Sequence, residues 1–463
     1  MSKRILSLLV AIALWGCANG SGTPTDGTGG TTAAGGGSGG AATTGSGGSS
    51  TGGNGTGGSG TGGIAPGTGG AAPGTGGRTE AGGHVGTGGA PGAGGASSTG
   101  GSGGVLGSGG AAGMRAGGTG GAGGAGFAAL PFSYWLGVDI SFTETQSVAL
   151  RASLLSLLQA HGINSVRLRT FVDPTAADGY SKSGACGLAD TIDFGKQIKA
   201  AGMGFLVDFH YSDNWADPGK QCVPIKWQSY TTIADLAAAM KAYTKDAITQ
   251  LIAGGARPDM VQIGNETTPG ILIHKCDSSG SPTGTNPVNG STSNWANTGA
   301  LLKAGVEGVK EVDPTILTSF HIAQGGDHVD GTSALSKSVT WLSNALKYTT
   351  VDAFGESCYW TYQGDSSSAS HSKMIWQTTE GGVAAKFPNI KIFAAEYGGA
   401  EREINDVIYG LPNQQGLGTF FWEATMGTKD NNGPLATQSG NAYVAGTDLS
   451  LYDLMKAAYA SRL

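Results

Sequence analysis

Two glutamates in this 463-residue sequence each follow a short apolar run. Glu266 ends the run Ile-Gly-Asn-Glu at 263–266, and Glu396 lies within Phe-Ala-Ala-Glu-Tyr at 393–397. Apolar runs of this kind predict buried strands. A carboxylate at the carboxyl end of such a strand lies where a (β/α)8 barrel builds its active site. Two of them facing each other supply the proton donor and the nucleophile or base that glycoside hydrolysis requires.

The elements that must position these glutamates alternate between strand and helix. Strands are predicted at 134–140, 165–170, 204–210, 260–265, 316–321, 351–357, 390–396 and 418–423. Helices are predicted at 147–161, 188–201, 230–253, 295–312 and 449–459, and we expect a helix after each of the other strands. Eight such units favour an α/β fold in the form of a closed (β/α)8 barrel over an open doubly wound sheet. No Gly-x-Gly-x-x-Gly follows the first strand, which counts against a dinucleotide-binding fold.

Polar and aromatic residues gather at or near the carboxyl ends of these predicted strands. They are Asp139, Arg167, Arg169, His210, Asn265, Glu266, His321, Tyr359, Glu396 and Trp422. Each has an ordinary structural explanation when taken alone. Arg167 and Arg169, for example, share one face of a strand, and one of them can form an ion pair in the core. Ten separate coincidences at one barrel mouth are difficult to accept, so we expect a single site.

Composition divides the chain before and after Phe127. More than half of its 86 glycines precede that residue. The Gly-, Ser-, Thr- and Ala-rich segment 18–126 has few large apolar residues and cannot bury a core, which predicts a disordered linker rather than a packed repeat. Residues 127–463 have the mixed polarity and length of one large barrel domain or two small domains. A formal net charge of -6 without a basic stripe argues against nucleic-acid binding.

Residues 1–17 have the pattern of an export signal. Lys3 and Arg4 precede an apolar stretch at 5–14, which is too short to span a bilayer. The following Leu-Trp-Gly-Cys resembles a bacterial lipobox, in which Cys17 becomes lipid-modified and amino-terminal. The alternative is an ordinary signal cleaved near Ala18. We favour an exported lipoprotein of the cell envelope or outer membrane, because a lipid anchor also explains a long spacer.

Four further cysteines fit an oxidising compartment, since an even number can pair. The disulfide candidates are Cys186, Cys222, Cys276 and Cys358. Cys186 and Cys222 follow successive predicted strands, so we favour that bridge and consider 276–358 as a second. Free buried thiols are the alternative for the second pair. No Cys-x-x-Cys spacing suggests zinc.

Specific strings extend the argument from about Trp135 to Glu423. They are Gly-Val-Asp-Ile-Ser at 137–141, His-Gly-Ile-Asn-Ser-Val-Arg-Leu-Arg at 161–169, Asp-Phe-His-Tyr-Ser-Asp-Asn-Trp-Ala-Asp-Pro-Gly-Lys-Gln at 208–221 with Trp227 after it, Val-Gln-Ile-Gly-Asn-Glu at 261–266, His-Ile-Ala-Gln-Gly-Gly-Asp at 321–327 and Phe-Trp-Glu at 421–423. In these strings the chain resembles glycoside hydrolase family 53, the endo-β-1,4-galactanases of a large clan of retaining barrels.

The resemblance implies roles for individual residues. Glu266 corresponds to the acid/base and Glu396 to the nucleophile, with the two carboxyl groups ~5–5.5 Å apart as in retaining enzymes. Tyr359 and an arginine of the second strand would orient Glu396. The expected substrate-binding residues are Asp139, Arg167, Arg169, His210, Asp213, Trp215, Asn265, His321, Tyr359 and Trp422. Trp227 could serve as a sugar platform or as part of the core.

The expected partner is a polysaccharide, and we expect a monomer with no cofactor and no bound metal. Asp430, Asn431 and Asn432 could offer oxygens to calcium, but a solvated turn is the preferred interpretation. Two alternatives stay open. One is an enzyme of the same clan that acts on β-1,4-mannan, xylan or glucan. The other is a surface glycan-binding protein with an inactive barrel, against which the intact Glu266 and Glu396 argue.

Overall fold

The structure is a computed structural model that describes residues 130, 132–323, 331–359, 368–428 and 433–463. The predictions for residues 1–17, including Cys17, and for residues 18–126, 324–327 and 430–432 lie outside these described residues. Within the described part of the chain, no helix has both the length and the apolar character needed to cross a membrane.

Eight parallel strands form a closed barrel, and each strand pairs with its neighbours in chain order until the last pairs with the first. The strands are β1 (Trp135–Asp139), β2 (Ser165–Thr170), β3 (Gly204–Phe209), β4 (Met260–Ile263), β5 (Leu317–Ile322), β6 (Ala353–Ser357), β7 (Lys391–Tyr397) and β8 (Gly416–Phe421). The predicted (β/α)8 barrel is therefore confirmed, with strand ends within about two residues of the predicted ones.

A helix follows every strand of the barrel. The helices are α1 (Val148–Ala160), α2 (Leu188–Ala200), α3 (Ile233–Ala253), α4 (Trp295–Val312), α5 (Gly331–Ala345), α6 (Ala369–Lys386), α7 (Glu401–Tyr409) and α8 (Leu449–Ala458). Helix α3 begins three residues later than predicted, because the side chain of Thr232 caps it by accepting a hydrogen bond from the backbone N–H of Asp235.

The apolar runs that predicted the strands arise because helices cover one face of the barrel wall and the barrel interior covers the other. All six residues of β3, for example, are buried. A small cluster fills the interior at the amino-terminal end of the strands, and it includes Trp135, Leu206, Met260, Leu317 and Phe393. A larger apolar cluster lies between the strands and the helices.

Because side chains alternate along a strand, the residues that face the barrel interior are apolar near the amino-terminal ends of the strands and polar at their carboxyl ends, which form the mouth of the barrel. Leu206 belongs to the interior cluster, so Asp208 two residues later also points inward. Strand β7 departs from this rule, since its register shifts by one residue against both neighbours around Ala395. Ala395 packs in the interior cluster and Tyr397 in the outer one, and the extra residue turns Glu396 toward the mouth.

The predicted disulfide pairing is wrong. Cys222 is bonded to Cys276, with 5.8 Å between the Cα atoms, while Cys186 and Cys358 are buried free thiols. Cys276 belongs to a hairpin of His274–Cys276 and Pro282–Thr285 that follows β4. This hairpin pairs with the segment after β3, where the Val223 amide donates to the His274 carbonyl at 2.8 Å, so the two sulfurs meet.

The two free thiols, Cys186 and Cys358, lie in environments of their own. Cys186 follows β2, and its sulfur lies 3.7 Å from the carbonyl oxygen of Ser141. Cys358 directly follows β6 and points at α6, where its sulfur lies 3.5 Å from Glu380. The expected 186–222 and 276–358 bridges both fail because the hairpin after β4 places Cys276 beside Cys222.

Candidate active site

Arg167 on β2 is the centre of the polar mouth and is 1% exposed. Its Nη1 lies 2.8 Å from Asp139 on β1, and its Nη2 lies 2.8 Å from Asp208 on β3. The same Nη2 lies 3.0 Å from Oε1 of Glu396 on β7 and donates to Oδ1 of Asn265 at 2.8 Å. One guanidinium on β2 thus contacts groups at or just beyond the ends of four other strands.

Glu396 is held at both carboxyl oxygens. Arg167 faces Oε1, and the Tyr359 hydroxyl donates to Oε2 at 2.9 Å. Burial raises the pKa of Glu396 to about 7, while Arg167 opposes the rise and Asp139 and Asp208 add to it. Both neighbours predicted to orient this carboxyl, Tyr359 and an arginine of β2, do contact it.

Glu266 lies opposite a different set of groups. Its backbone has the left-handed φ of 46°, and its half-buried carboxyl contacts the Ser357 hydroxyl at 2.7 Å. Burial and then the nearby Glu396 raise the pKa of Glu266 well above its usual value. Among the described residues, no cation forms an ion pair with Glu266 as Arg167 does with Glu396, so of the two carboxyls Glu266 keeps a proton to higher pH.

Ser357 connects the two glutamates. Its hydroxyl contacts Glu266, and in the strand register its backbone is the partner of Glu396. Its hydroxyl also lies 2.9 Å from Nε2 of His321 on β5. On the other side of the imidazole ring, Nδ1 lies 3.0 Å from Oδ1 of Asn265. Both predicted residues, Asn265 and His321, therefore belong to the surroundings of Glu266.

His210 supports the neighbouring part of the mouth. Its Nε2 lies 3.0 Å from Asp208, and its Nδ1 accepts a hydrogen bond from the Ala216 amide at 3.0 Å. Burial alone would raise the pKa of Asp208, but Arg167 and His210 outweigh it and lower the pKa. His210 thus keeps a charged partner for Arg167 in place and also fixes the loop that carries Trp215.

Arg169 contacts a different part of the mouth from the part that Arg167 contacts. Its Nη1 lies 2.6 Å from Glu423, and its guanidinium lies over the rings of Phe142 and Trp215 at 4.3 and 4.1 Å from their centroids. Cation–π contacts of this kind fix the orientation of an aromatic ring. Burial raises the pKa of Glu423 to about 8, with Arg169 opposing it. Arg169 therefore positions Trp215, whose side chain is only half-buried.

The other predicted aromatic residues separate into a mouth and a core position. The half-buried Trp422 packs edge-on against Tyr359, with 6.4 Å between ring centroids, and so lies beside Glu396. Trp227 is 4% exposed and packs against Tyr243 on α3, which agrees with the core interpretation.

Asp213 does not join the group around Arg167. Its Oδ2 accepts a hydrogen bond from the Ile225 amide at 2.8 Å, and burial raises its pKa to about 7. It therefore holds together the loop between β3 and α3, in which Trp215 lies.

The sequence reasoning missed four residues that support the site. Asp208 binds Arg167, Gln262 donates to Asp208 at 2.6 Å, and Gln221 donates to the Asn265 carbonyl at 2.9 Å. Ser357 is a fourth, as described above. Asp208 could have been found by counting two residues on from Leu206 along one face of β3. In the described ranges, no group of three or more His, Cys, Asp or Glu side chains could hold a metal ion.

A pair of glutamates at the mouth of a (β/α)8 barrel, one bound to a cation and one able to keep its proton, defines a glycosidase. The family comparison agrees with this class. Residues 137–381, more than half of the chain, match the model of glycosyl hydrolase family 53. The chain belongs to that family.

Curated relatives include fungal and bacterial proteins. An arabinogalactan endo-β-1,4-galactanase from Thermothelomyces thermophilus is 30% identical over 335 residues, which are 65% of this chain and 91% of the relative. The endo-β-1,4-galactanase of Bacillus subtilis is 28% identical over 300 residues, which are 59% of this chain and 63% of the relative. An uncharacterised Niallia circulans protein is 35% identical over 207 residues, and the match spans 43% of this chain and about half (53%) of that protein's length.

A solved structure from a study of two fungal β-1,4-galactanases has a TM-score of 0.54 and 26% identity, and the match covers 70% of this chain and 99% of that one. The catalytic domain of a family member from Ignisphaera aggregans has the same TM-score with 24% identity, and it supports the fold.

Proposed function

We propose that this chain is a retaining endo-glycoside hydrolase that cleaves β-1,4-galactosidic bonds in galactan and in the type I arabinogalactan of plant cell-wall pectin. The observation that carries the proposal is the pairing of Glu396, bound by Arg167 and Tyr359, with Glu266, which forms no ion pair with a cation in the part of the chain that the structure describes. The relatives named as galactanases support the choice of substrate.

In the first step, ionised Glu396 attacks the anomeric carbon while Glu266 protonates the leaving glycosidic oxygen, which gives a covalent glycosyl-enzyme. Arg167 and Tyr359 aim the attacking carboxylate by binding one oxygen each. The raised pKa of Glu266 keeps its proton available near neutral pH.

In the second step, Glu266 takes a proton from water, which attacks the same carbon and releases Glu396 with retention of configuration. Asn265 would donate a hydrogen bond to the sugar 2-hydroxyl. One hydrogen of its amide goes to the Ala216 carbonyl at 2.8 Å, and the second, which has no acceptor among the described residues, would bind the substrate. Trp215 and Trp422 offer ring faces to neighbouring sugars.

The test is a panel of β-1,4-galactan, mannan, xylan and glucan with a reducing-sugar assay on the wild type, Glu266→Gln and Glu396→Gln. We expect release of oligosaccharides from galactan and a loss of at least about 10²-fold in each variant at unchanged Tm, because the isosteric amide can neither donate that proton nor attack. Azide should rescue Glu396→Ala and give a glycosyl azide of inverted configuration. Substantial activity left in either Gln variant would refute the assigned roles.

The same panel decides between the alternatives. Preferential cleavage of mannan, xylan or glucan would replace galactan as the substrate, and binding of galactan without release of oligosaccharides would make the chain a glycan-binding protein.

Export and anchoring are a separate part of the proposal. The protein would be tethered to the cell envelope through lipid on Cys17, with residues 18–126 as the spacer. Three acyl chains should hold it firmly, since each buried CH2 contributes ~0.8 kcal/mol. In a detergent phase-partitioning experiment on protein made by the native host, the wild type should enter the detergent phase and Cys17→Ser should not. Wild type found free in the medium would make it a secreted enzyme instead.

A further inference from the structure

The orientation of the Asn265 amide can be read from its two partners. Its nitrogen contacts the Ala216 carbonyl at 2.8 Å, which can only accept a hydrogen bond. Its oxygen contacts Nη2 of Arg167 at 2.8 Å, which can only donate. Exchanging the two ends of the amide would break both bonds. Oδ1 of Asn265 therefore faces His321 as an acceptor.

This orientation fixes the hydrogen on His321. Its Nδ1 lies 3.0 Å from Oδ1 of Asn265, so Nδ1 must donate. Nε2 of Gln262 comes within 3.2 Å of Nδ1. Its two hydrogens have other acceptors, since Asp208 lies 2.6 Å away and the Gly264 carbonyl 3.2 Å away. The Glu266 amide, at 3.4 Å, is the other donor that faces Nδ1, and it is at the limit of hydrogen-bond range.

The opposite nitrogen of His321 is then an acceptor. Burial and the charge of Arg167 lower the pKa of His321 well below its usual value, although Asp208 opposes this, and His210 adds to it. The ring is therefore neutral and carries one hydrogen, which is on Nδ1. Nε2 lies 2.9 Å from the Ser357 hydroxyl and must receive its hydrogen.

Ser357 has one hydrogen and two neighbours. When it donates to His321, it can only accept from Glu266 Oε1 at 2.7 Å, and that oxygen must carry a proton. In this arrangement Glu266, Ser357, His321 and Asn265 each donate to or accept from the next group without a mismatch. It corresponds to the state in which Glu266 is a general acid.

We propose that Ser357 is a positioning residue whose hydroxyl reverses its hydrogen bond during the reaction, donating to His321 while Glu266 holds its proton and donating to Glu266 once that proton has left. The proposal rests on the acid/base role proposed for Glu266. When substrate is bound, the proton on Glu266 turns from Ser357 to the leaving glycosidic oxygen, and its transfer makes Glu266 a carboxylate. Rotation about the serine Cβ–Oγ bond then gives this carboxylate a donor and leaves Nε2 of His321 without one, and reprotonation of Glu266 by water reverses the rotation.

Other charged groups lie near Glu266 and set the pH at which it loses its proton and the Ser357 hydroxyl turns. Glu396 from β7 and Asp217 from the loop after β3 favour the protonated form of Glu266, and Arg167 from β2 favours the ionised form. None of them replaces Ser357, because a serine hydroxyl can stabilise both forms by turning.

Nitrogen NMR of protein labelled with ¹⁵N-histidine tests the proposal without substrate, with His321→Asn to assign the signal. We expect the hydrogen on Nδ1, and an Nε2 resonance that moves toward that of an unbonded nitrogen as the pH rises and Glu266 ionises. In Ser357→Ala the Nε2 resonance should be unbonded throughout and should not follow Glu266. A hydrogen on Nε2 of the resting enzyme, or an Nε2 signal indifferent to pH in the wild type, would refute the proposal.

Kinetics give a second and separate readout. Ser357→Ala should lower kcat by about 10–100-fold at unchanged Tm, since both protonation states of Glu266 lose a partner, whereas Ser357→Thr should retain most of kcat. Wild-type kcat in Ser357→Ala would contradict the proposal. If the wild type cleaves no glycan at all, the proposed function fails, but the NMR result still decides which way Ser357 points.

Discussion

Replacing Arg167 with lysine keeps a positive charge but removes the planar fork that reaches Asp139 on one side and Asp208, Asn265 and Glu396 on the other. An ammonium group is a compact point charge and cannot span all of these partners. We expect Glu396, at 3.0 Å the longest of the contacts, to lose its cation.

The size of the effect follows from that contact. A hydrogen bond to a charged group contributes about 1.5–3 kcal/mol, and one pKa unit corresponds to about 1.4 kcal/mol. Arg167 lowers the pKa of Glu396, so its loss raises that pKa by about 1–2 units. Because Glu396 must be ionised to attack, the acid limb of the profile of kcat/KM against pH should move to higher pH by the same amount.

The assay is kcat/KM on β-1,4-galactan from pH 4 to 9 for the wild type and Arg167→Lys, with Tm measured at each pH. Arg257→Lys is the matched control, since Arg257 pairs with Asp313, is 37% exposed and lies outside the mouth. An acid limb that stays at the wild-type pH in a folded Arg167→Lys variant would refute the view that this guanidinium controls the ionisation of Glu396.

Three further outcomes are expected. Cys222→Ser/Cys276→Ser should lose about 4 kcal/mol of unfolding free energy for a loop of 54 residues, and dithiothreitol should lower the Tm of wild type but not of the variant; equal Tm values would show that the bridge does not stabilise the fold. Burial raises the pKa of Glu356 on β6 to about 8. The stability that its protonated form contributes is therefore complete below the unfolded pKa near 4.5 and is lost as the pH rises through 8. In Glu356→Gln, Tm should depend less on pH between pH 5 and 9, and the same dependence of Tm on pH as in the wild type would contradict this. A chain beginning at Phe127 should match the mature protein in Tm and activity, and a clear loss of either would show that the Gly-rich segment packs on the barrel.

The barrel was predictable because its strands are covered on both faces and so read as continuous apolar runs. The same burial makes a polar residue at a strand end conspicuous, which is how Arg167, Asn265 and Glu396 were found. The inward direction of Glu396 does not follow from strand alternation, since strict alternation from Ala395 would turn it outward. It depends on the extra residue in β7, which the sequence letters do not reveal.

The cysteine pairing and the role of Ser357 also could not be predicted from the sequence. Counting successive strands favoured Cys186 for Cys222, but a hairpin inserted after β4 carries Cys276 to that position. Loop insertions of this kind leave the strand pattern unchanged and so give no warning. Ser357 is a small polar residue in an apolar run, and its importance arises only from its distances to Glu266 and His321.

The convergence on Arg167 also has a consequence for which sugars the mouth accepts. Asp139, Asp208 and Glu396 place three carboxyl groups around one guanidinium, so the mouth of the barrel holds more acidic groups than this one cation can neutralise. A transition state with positive charge at the anomeric carbon is stabilised there. A uronic acid in the same position would bring a fourth carboxylate into a poorly solvated space, and we expect the resulting repulsion to disfavour acidic sugars there.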